Sequence, residues 1–378
     1  MFDNMVKMGV KPDRTGPLLL LWSMHVASHS GLVQNPWKYR TGEKSSLYAL
    51  LSSIYGAIGK WELVEKVRHL MDKRQVKKKQ ILFDLNENCG ETFPGCDYRP
   101  TDRKNWMASL GPKDLHINNI VWPTTHNSAT DRIGIPCISR PFAQCQTLSI
   151  YQQLALGTRV LDIRVNENNR VCHGILLTYN IDVVINDVKK FLFETTSEVI
   201  ILQIRTEYGH RDPPEFEDYL EEKLSMYLIH QDDYVFGKTI AELLPKRIIC
   251  VWKPRNSPQP KPGSPFWSAE YLKDNWIDTD LPSTKFDSNL KYLSDQAPVS
   301  SRYFFYRVEN TVTAQPDNPV VCVRPVTGRI HGYARLFINR CFAEGCANRL
   351  QVFSTDFIGG DFVDACVGLT HARVHGEC

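Results

Sequence analysis

No cysteine precedes Cys89 in this 378-residue chain; all eleven lie from that point onward. Long hydrophobic runs are missing too. The longest, PLLLLW at 17–22, falls far short of the ~20 apolar residues that a membrane-spanning helix needs. There is no large excess of charge of one sign. The formal net charge of +3 argues against wholesale nucleic-acid binding. MFDNMVKM carries Asp3 and Lys7 with no apolar core after them, which does not read as a signal peptide. Zinc spacing is absent as well: Cys89-x6-Cys96 and Cys341-x4-Cys346 have no second pair at a matching interval.

What is present divides the chain. The cysteines crowd the later part, whereas Met1, Met5, Met8, Met24 and Met71 are five of the seven methionines. This places a seam near residues 80–88, with residues 1–80 and 81–378 as separate segments. The later cysteines suggest a disulfide-bearing, secreted domain. Free buried thiols in a reducing compartment are the alternative, and without a visible signal the compartment stays open. Before the seam, SSLYALLSSIYGAIGKWELVEKVRHLMDKRQVKKK at 45–79 has apolar residues at helical spacing, broken at Gly56 and Gly59. MVKMGVK at 5–11 and MDKRQVK at 71–77 share their first Met and closing Val-Lys, about two repeat units apart. This segment resembles the pentatricopeptide repeat of plant RNA-binding proteins. Such arrays need about three or more units for stability. A small all-α remnant of two units is therefore expected, without RNA binding.

From residue 81 the pattern alternates. INNIVWP (117–123), TRVLDIRV (158–165), SEVIILQIR (197–205), KRIICVWK (246–253) and LQVFSTDFI (350–358) are short apolar runs. QTLSIYQQLALG (146–157), INDVKKFLFE (185–194) and PEFEDYLEEKLSMYL (214–228) have helical spacing. Apolar strands separated by helices predict a parallel sheet covered on both faces. Over about 290 residues this is an α/β fold of the TIM-like (β/α)8 barrel type. The alternative, an open doubly wound sheet, lacks its glycine-rich phosphate fingerprint. Polar residues gather where the strands end: His126, Asp162 with Arg164, Arg205, Lys253 and Asp356. The C-terminal rim is where a parallel barrel builds its site. Three cations there (Arg164, Arg205 and Lys253) favour an anionic substrate. Arg164 can hold phosphate oxygens with two parallel hydrogen bonds. His126 and the next histidine, His173, supply a base and an acid. These groups suit phosphoryl transfer.

THNSAT, GTRVLDIRV, VCHG and EVIILQIR, in this order, resemble the X domain of phosphatidylinositol-specific phospholipase C, in the metal-independent form of bacteria and plants, over roughly 89–378. The resemblance implies a distorted (β/α)8 barrel that acts on phosphatidylinositol or a related glycerophospholipid at a membrane surface, as a monomer and without cofactor. It makes His126 the base for the inositol 2-hydroxyl and His173 the acid for the diacylglycerol oxygen. Arg164 and Asp162 are matched to the phosphate-binding arginine and its carboxylate, and Asp356 to the carboxylate that orients the base. Arg205 stands where the family has a lysine near the inositol, and Lys253 where it has an arginine. Glu309, in YRVEN, is matched to an inositol-contacting carboxylate. One departure matters. The metal-independent family has Asp directly after the base histidine, paired with the acid; here it is Asn127, which lacks that charge. Calcium-dependent relatives carry His-Asn but need a carboxylate where this chain has Arg164, so no calcium is expected. A barrel that binds inositol phosphate or lipid with weak or lost catalysis, a glycerophosphodiester hydrolase, and an RNA-binding repeat protein remain as alternatives. Trp267, Tyr271 and Trp276, in the proline-rich stretch 253–276, could form a lip that touches lipid headgroups, or tuck into an ordered loop.

Overall fold

The computed structural model describes residues 92–315 and 322–377. The helical-repeat segment expected over 1–80 lies outside the described residues. Two compact units separate. The one formed by Asp84–Ile135, Ser139–Thr313 and Cys322–Cys378 holds the sheet and the helices packed on it.

Seven parallel strands make the sheet: β1 (Trp122–Thr125), β2 (Val160–Val165), β5 (Ile200–Thr206), β6 (Ile248–Lys253), β7 (Leu272–Asp274), β8 (Phe305–Asn310) and β9 (Val352–Thr355). Their spatial order is β6-β5-β2-β1-β9-β8-β7. A hairpin of β3 (Arg170–His173) and β4 (Leu176–Asn180) adds antiparallel to β2. The barrel's distortion lies at one seam: among the described strands β6 pairs only with β5 and β7 only with β8. The Lys253 ammonium crosses that seam to the Leu272 carbonyl at 2.5 Å.

Helices α1 (Ile150–Leu156), α2 (Asp182–Phe193), α3 (Phe216–Leu224), α4 (Pro282–Ser294), α5 (Tyr333–Ala343) and α6 (Gly360–Val374) pack around the strands. The start of α1 follows from its sequence: Ser149 and Gln152 form a reciprocal capping box, which satisfies two backbone donors at once. It stops at Gly157, whose φ of 118° is left-handed; glycine adopts that conformation without a Cβ penalty. The strand interiors read as near-continuous apolar runs because both faces are covered. On β5, Ile200, Leu202 and Ile204 pack in one cluster with α2 and α3, while Ile201 joins a second cluster with Val160 and Ile249. Gln203 and Arg205 share the face of Ile201, two and four residues on.

The run INNIVWP differs from the strand expected there. Ile117–Asn119 is a 3-10 turn and the strand begins at Trp122, although Ile117, Ile120 and Val121 are fully buried. Their burial came from packing beneath the sheet rather than from pairing within it. The disulfide framework is corrected: every cysteine among the described residues is a free thiol. Cys145, Cys172, Cys250, Cys341, Cys346 and Cys366 are buried and behave as small apolar side chains in the core. They therefore carry no argument for an oxidising compartment. Among the described residues no helix is long and apolar enough to cross a membrane.

Candidate active site

Register brings the cations together. Arg164 on β2 pairs with Arg205 on β5, which pairs with Lys253 on β6, so three neighbouring strands present one row. On the other side, Thr125 of β1 pairs with Thr355 of β9. The next residues, His126 and Asp356, thus leave the sheet side by side. Gln146 ties the two strand ends, donating from Nε2 to the carbonyls of His126 and Thr355 at 3.1 and 3.0 Å.

His126 has two distinct faces. Nδ1 lies 2.8 Å from Asp356 Oδ1. That carboxylate's other oxygen accepts from Thr327 Oγ1 at 2.9 Å. An ionised carboxylate is acceptor-only, so Nδ1 carries the hydrogen and Nε2 keeps its lone pair. Nε2 meets Arg164 Nη2 at 3.0 Å and Asn127 Nδ2 at 3.2 Å. The Asn127 amide also reaches His173 Nε2 at 3.3 Å, so one side chain bridges both imidazoles. Asn127 sits at φ 45°, a left-handed turn that asparagine tolerates better than most residues. Its backbone N–H donates to Asp162 Oδ2 at 3.1 Å. On His173, Nδ1 faces the Ala143 carbonyl at 2.8 Å and carries the hydrogen there.

Electrostatics separates these groups. Burial alone would raise the Asp162 carboxyl. The guanidinium of Arg164, helped by those of Arg307 and Arg205, outweighs burial and holds it far below the usual carboxylate range. Burial pushes His173 below the ordinary histidine value, and Arg164 pushes it further. Lys253 is lowered to about 8, first by burial and then by Arg307.

The predicted residues His126, Asn127, Asp162, Arg164, His173 and Asp356 therefore form one hydrogen-bonded and ion-paired network. Arg205 and Lys253 stand in the adjoining row. Glu309 is 1% exposed and 2.8 Å from Arg307 Nε, deep under the site. Several partners were not foreseen from sequence. Glu207 holds Arg164 Nη1 at 3.2 Å. Gln203 bridges Asp162 and Arg307 at 2.9 and 3.3 Å. Asp274 accepts from Arg307 at 2.9 Å. Trp276 lies 5.5 Å from the His126 ring, with the Lys285 ammonium 4.4 Å from its own ring. The signal for Glu207 and Arg307 was the i, i+2 rule: Glu207 follows Arg205, and Arg307 precedes Glu309, on the same face. Of the proposed lip, Trp267 is fully buried, with its indole N–H donating to the Ile229 carbonyl at 2.7 Å. Tyr271 is tied to Asp233 at 2.8 Å. Trp276 alone of the three is substantially open, at 44%.

Fold and site together define a distorted parallel α/β barrel whose strand ends hold two imidazoles about one guanidinium. Residues 123–253 match the family model for the phosphatidylinositol-specific phospholipase C X domain, and residues 41–80 match the E motif. The chain is 33% identical over 111 residues to a 1-phosphatidylinositol phosphodiesterase of Listeria monocytogenes; this covers 29% of the chain and 35% of that protein. It is 29% identical over 150 residues to a PI-PLC X-box domain-containing protein of Dictyostelium discoideum, covering 35% of the chain and 18% of that protein. A pentatricopeptide repeat-containing protein of Arabidopsis thaliana is 60% identical over 40 residues, which is 11% of the chain and 7% of that protein. The matched stretches thus span about a third or less of these relatives. The solved phosphatidylinositol-specific phospholipase C of Listeria monocytogenes shares the fold with a TM-score of 0.58 at 20% identity, over 71% of this chain and 98% of that one. A Staphylococcus aureus phosphatidylinositol-specific phospholipase C mutant gives 0.53 at 17%, over 70% and 98%.

Proposed function

We propose that the barrel is a phosphodiesterase of the phospholipase C type, acting on phosphatidylinositol or a related glycerophospholipid at a membrane surface. The observation that carries this reading is the bare Nε2 of His126, held by Asp356 behind it and facing Arg164 at 3.0 Å. In the reaction, His126 Nε2 takes the proton of the inositol 2-hydroxyl as that oxygen attacks phosphorus. Arg164, oriented by Asp162 and Glu207, leaves its hydrogen bond to His126 and holds the phosphate oxygens as charge builds on them. His173 gives its Nε2 proton to the departing diacylglycerol oxygen. The products are a cyclic inositol phosphate and diacylglycerol. Arg205, Lys253 and the Asn127 amide are assigned to contact the bound headgroup, while Glu309, buried against Arg307, supports the site from beneath. The scheme routes no step through a metal, because Arg164 supplies the positive charge at the phosphate.

His126→Ala and Arg164→Lys test it. Turnover of phosphatidylinositol vesicles should fall roughly 10²–10⁴-fold without the base, with an unchanged unfolding midpoint and no effect of chelator on the parent protein. Activity that survives His126→Ala sinks the reading. A second reading, a binding barrel with weak turnover, rests on Asn127. His173 has an amide at Nε2 where a carboxylate would hold the charged form. Inositol phosphate binding without turnover at any pH would favour it.

A further inference from the structure

The Asp356 side of His126 closes a second constellation. The imidazole, Cys145 Sγ and an Asp356 oxygen each offer one ligand atom, all within 4.8 Å of one another and all buried. The three come from distant parts of the chain, the turn after β1, the loop before α1 and the end of β9, yet they are locked together. The Phe357 amide, next to Asp356, donates to the Cys145 carbonyl at 2.7 Å, and the Cys145 amide donates to Thr130 Oγ1 at 3.0 Å. Thr327 holds the far oxygen of Asp356, the kind of outer hydrogen bond that orients a ligating carboxylate. His126 Nδ1 and Asp356 Oδ1 stand 2.8 Å apart. A small opening brings them to the spacing of two ligands on an ion bound at about 2.0–2.1 Å.

We propose that His126, Cys145 and Asp356 form an inhibitory site for a borderline-soft divalent cation of the zinc class. One sulfur, one nitrogen and one oxygen suit such an ion, whereas calcium and magnesium take oxygen ligands. The ion's two charges are matched by one thiolate and one carboxylate. Arg164 therefore keeps Asp162 and Glu207 as its own partners. On binding, a sulfur–metal bond forms and the Cys145 proton leaves to solvent. A nitrogen–metal bond forms at Nδ1, and the hydrogen from Nδ1 moves to Nε2, which gives up the hydrogen bonds it accepts from Arg164 and Asn127. One proton is released per ion, no redox change occurs, and water fills the fourth position. An imidazole with metal on Nδ1 and hydrogen on Nε2 has no lone pair left for a substrate hydroxyl. The loss of turnover rests on the phosphodiesterase reading; occupancy of the site does not.

Cobalt(II) titration of the full chain tests occupancy, because a thiolate ligand gives a charge-transfer absorption that zinc abolishes by displacement. One cobalt per chain with that band is expected. Zinc should suppress vesicle hydrolysis, and chelator should restore it. In Cys145→Ser, and in Cys145→Ala as a second variant should the first fold poorly, the band should vanish. Zinc sensitivity should fall at least ~10-fold, while zinc-free turnover stays near the parent value. No band in the parent chain, or a band that persists in a folded Cys145 variant, overturns the site. Equal zinc sensitivity in parent and variant overturns the inhibition. Should the parent show no turnover at all, the band still decides the site.

Discussion

At the scale of single residues, His173 sets the pH at which the proposed chemistry can run. His173 must be charged to act as an acid, and burial and Arg164 both hold it below the ordinary histidine value. Activity should therefore fade early on the alkaline side. Replacing the amide by a carboxylate in Asn127→Asp favours the charged imidazole. The alkaline limb of the kcat profile should move up by roughly one to three pH units; an unmoved limb would show that His173 is not the group reporting there. Lys253, lowered to about 8, is charged below that pH and neutral above it. KM for an anionic headgroup should rise as pH passes about 8, and Lys253→Arg, which stays charged, should remove that inflection.

At the scale of elements, the site depends on strand ends that cannot slip. The cation row exists because Arg164, Arg205 and Lys253 share one register across β2, β5 and β6, and a one-residue slip would turn each to the opposite face. The connection that feeds β2 is set by the cap of α1. At Gly157 an added Cβ would meet Val363 Cγ1 at 2.5 Å, on a backbone at φ +118°. Gly157→Ala should cost about 1–3 kcal/mol, read as a lower denaturant midpoint with unchanged slope. A smaller loss, about 1 kcal/mol, is expected for Ser149→Ala, which removes the helix cap.

At the scale of the whole molecule, the barrel unit is held at the end opposite the site by a buried ion pair. Arg159 and Glu198, just before β2 and β5, are both fully buried. Glu198 accepts from Arg159 Nε at 2.8 Å and from the Ala108 amide at 3.0 Å. Arg159 donates onward to the carbonyls of Leu154, Thr158 and Lys104. Removing one charge strands the other in the core. Glu198→Gln should therefore destabilise by about 3–5 kcal/mol, measured by chemical denaturation, while the pH profile of the surviving native fraction stays put. A change in the profile instead would mean that the two ends of the barrel are coupled.

The sequence by itself determined the alternation of apolar strands and helices, and so the barrel, because covered parallel strands must be apolar on both faces. It also determined which strand ends carry His126, Arg164, Arg205, Lys253 and Asp356, since those charges interrupt apolar runs. It could not show β7, whose three residues are too few for a period to register. Nor did it show β8, where Arg307 and Glu309 are buried as an ion pair and Arg307 also meets the Asp274 carboxylate. Only tertiary structure decided that six of the described cysteines are buried free thiols, that Trp267 is core, and that Cys145 stands beside His126 and Asp356. Those facts depend on which distant segments meet, and contacts between segments far apart in the chain leave no local pattern in one sequence.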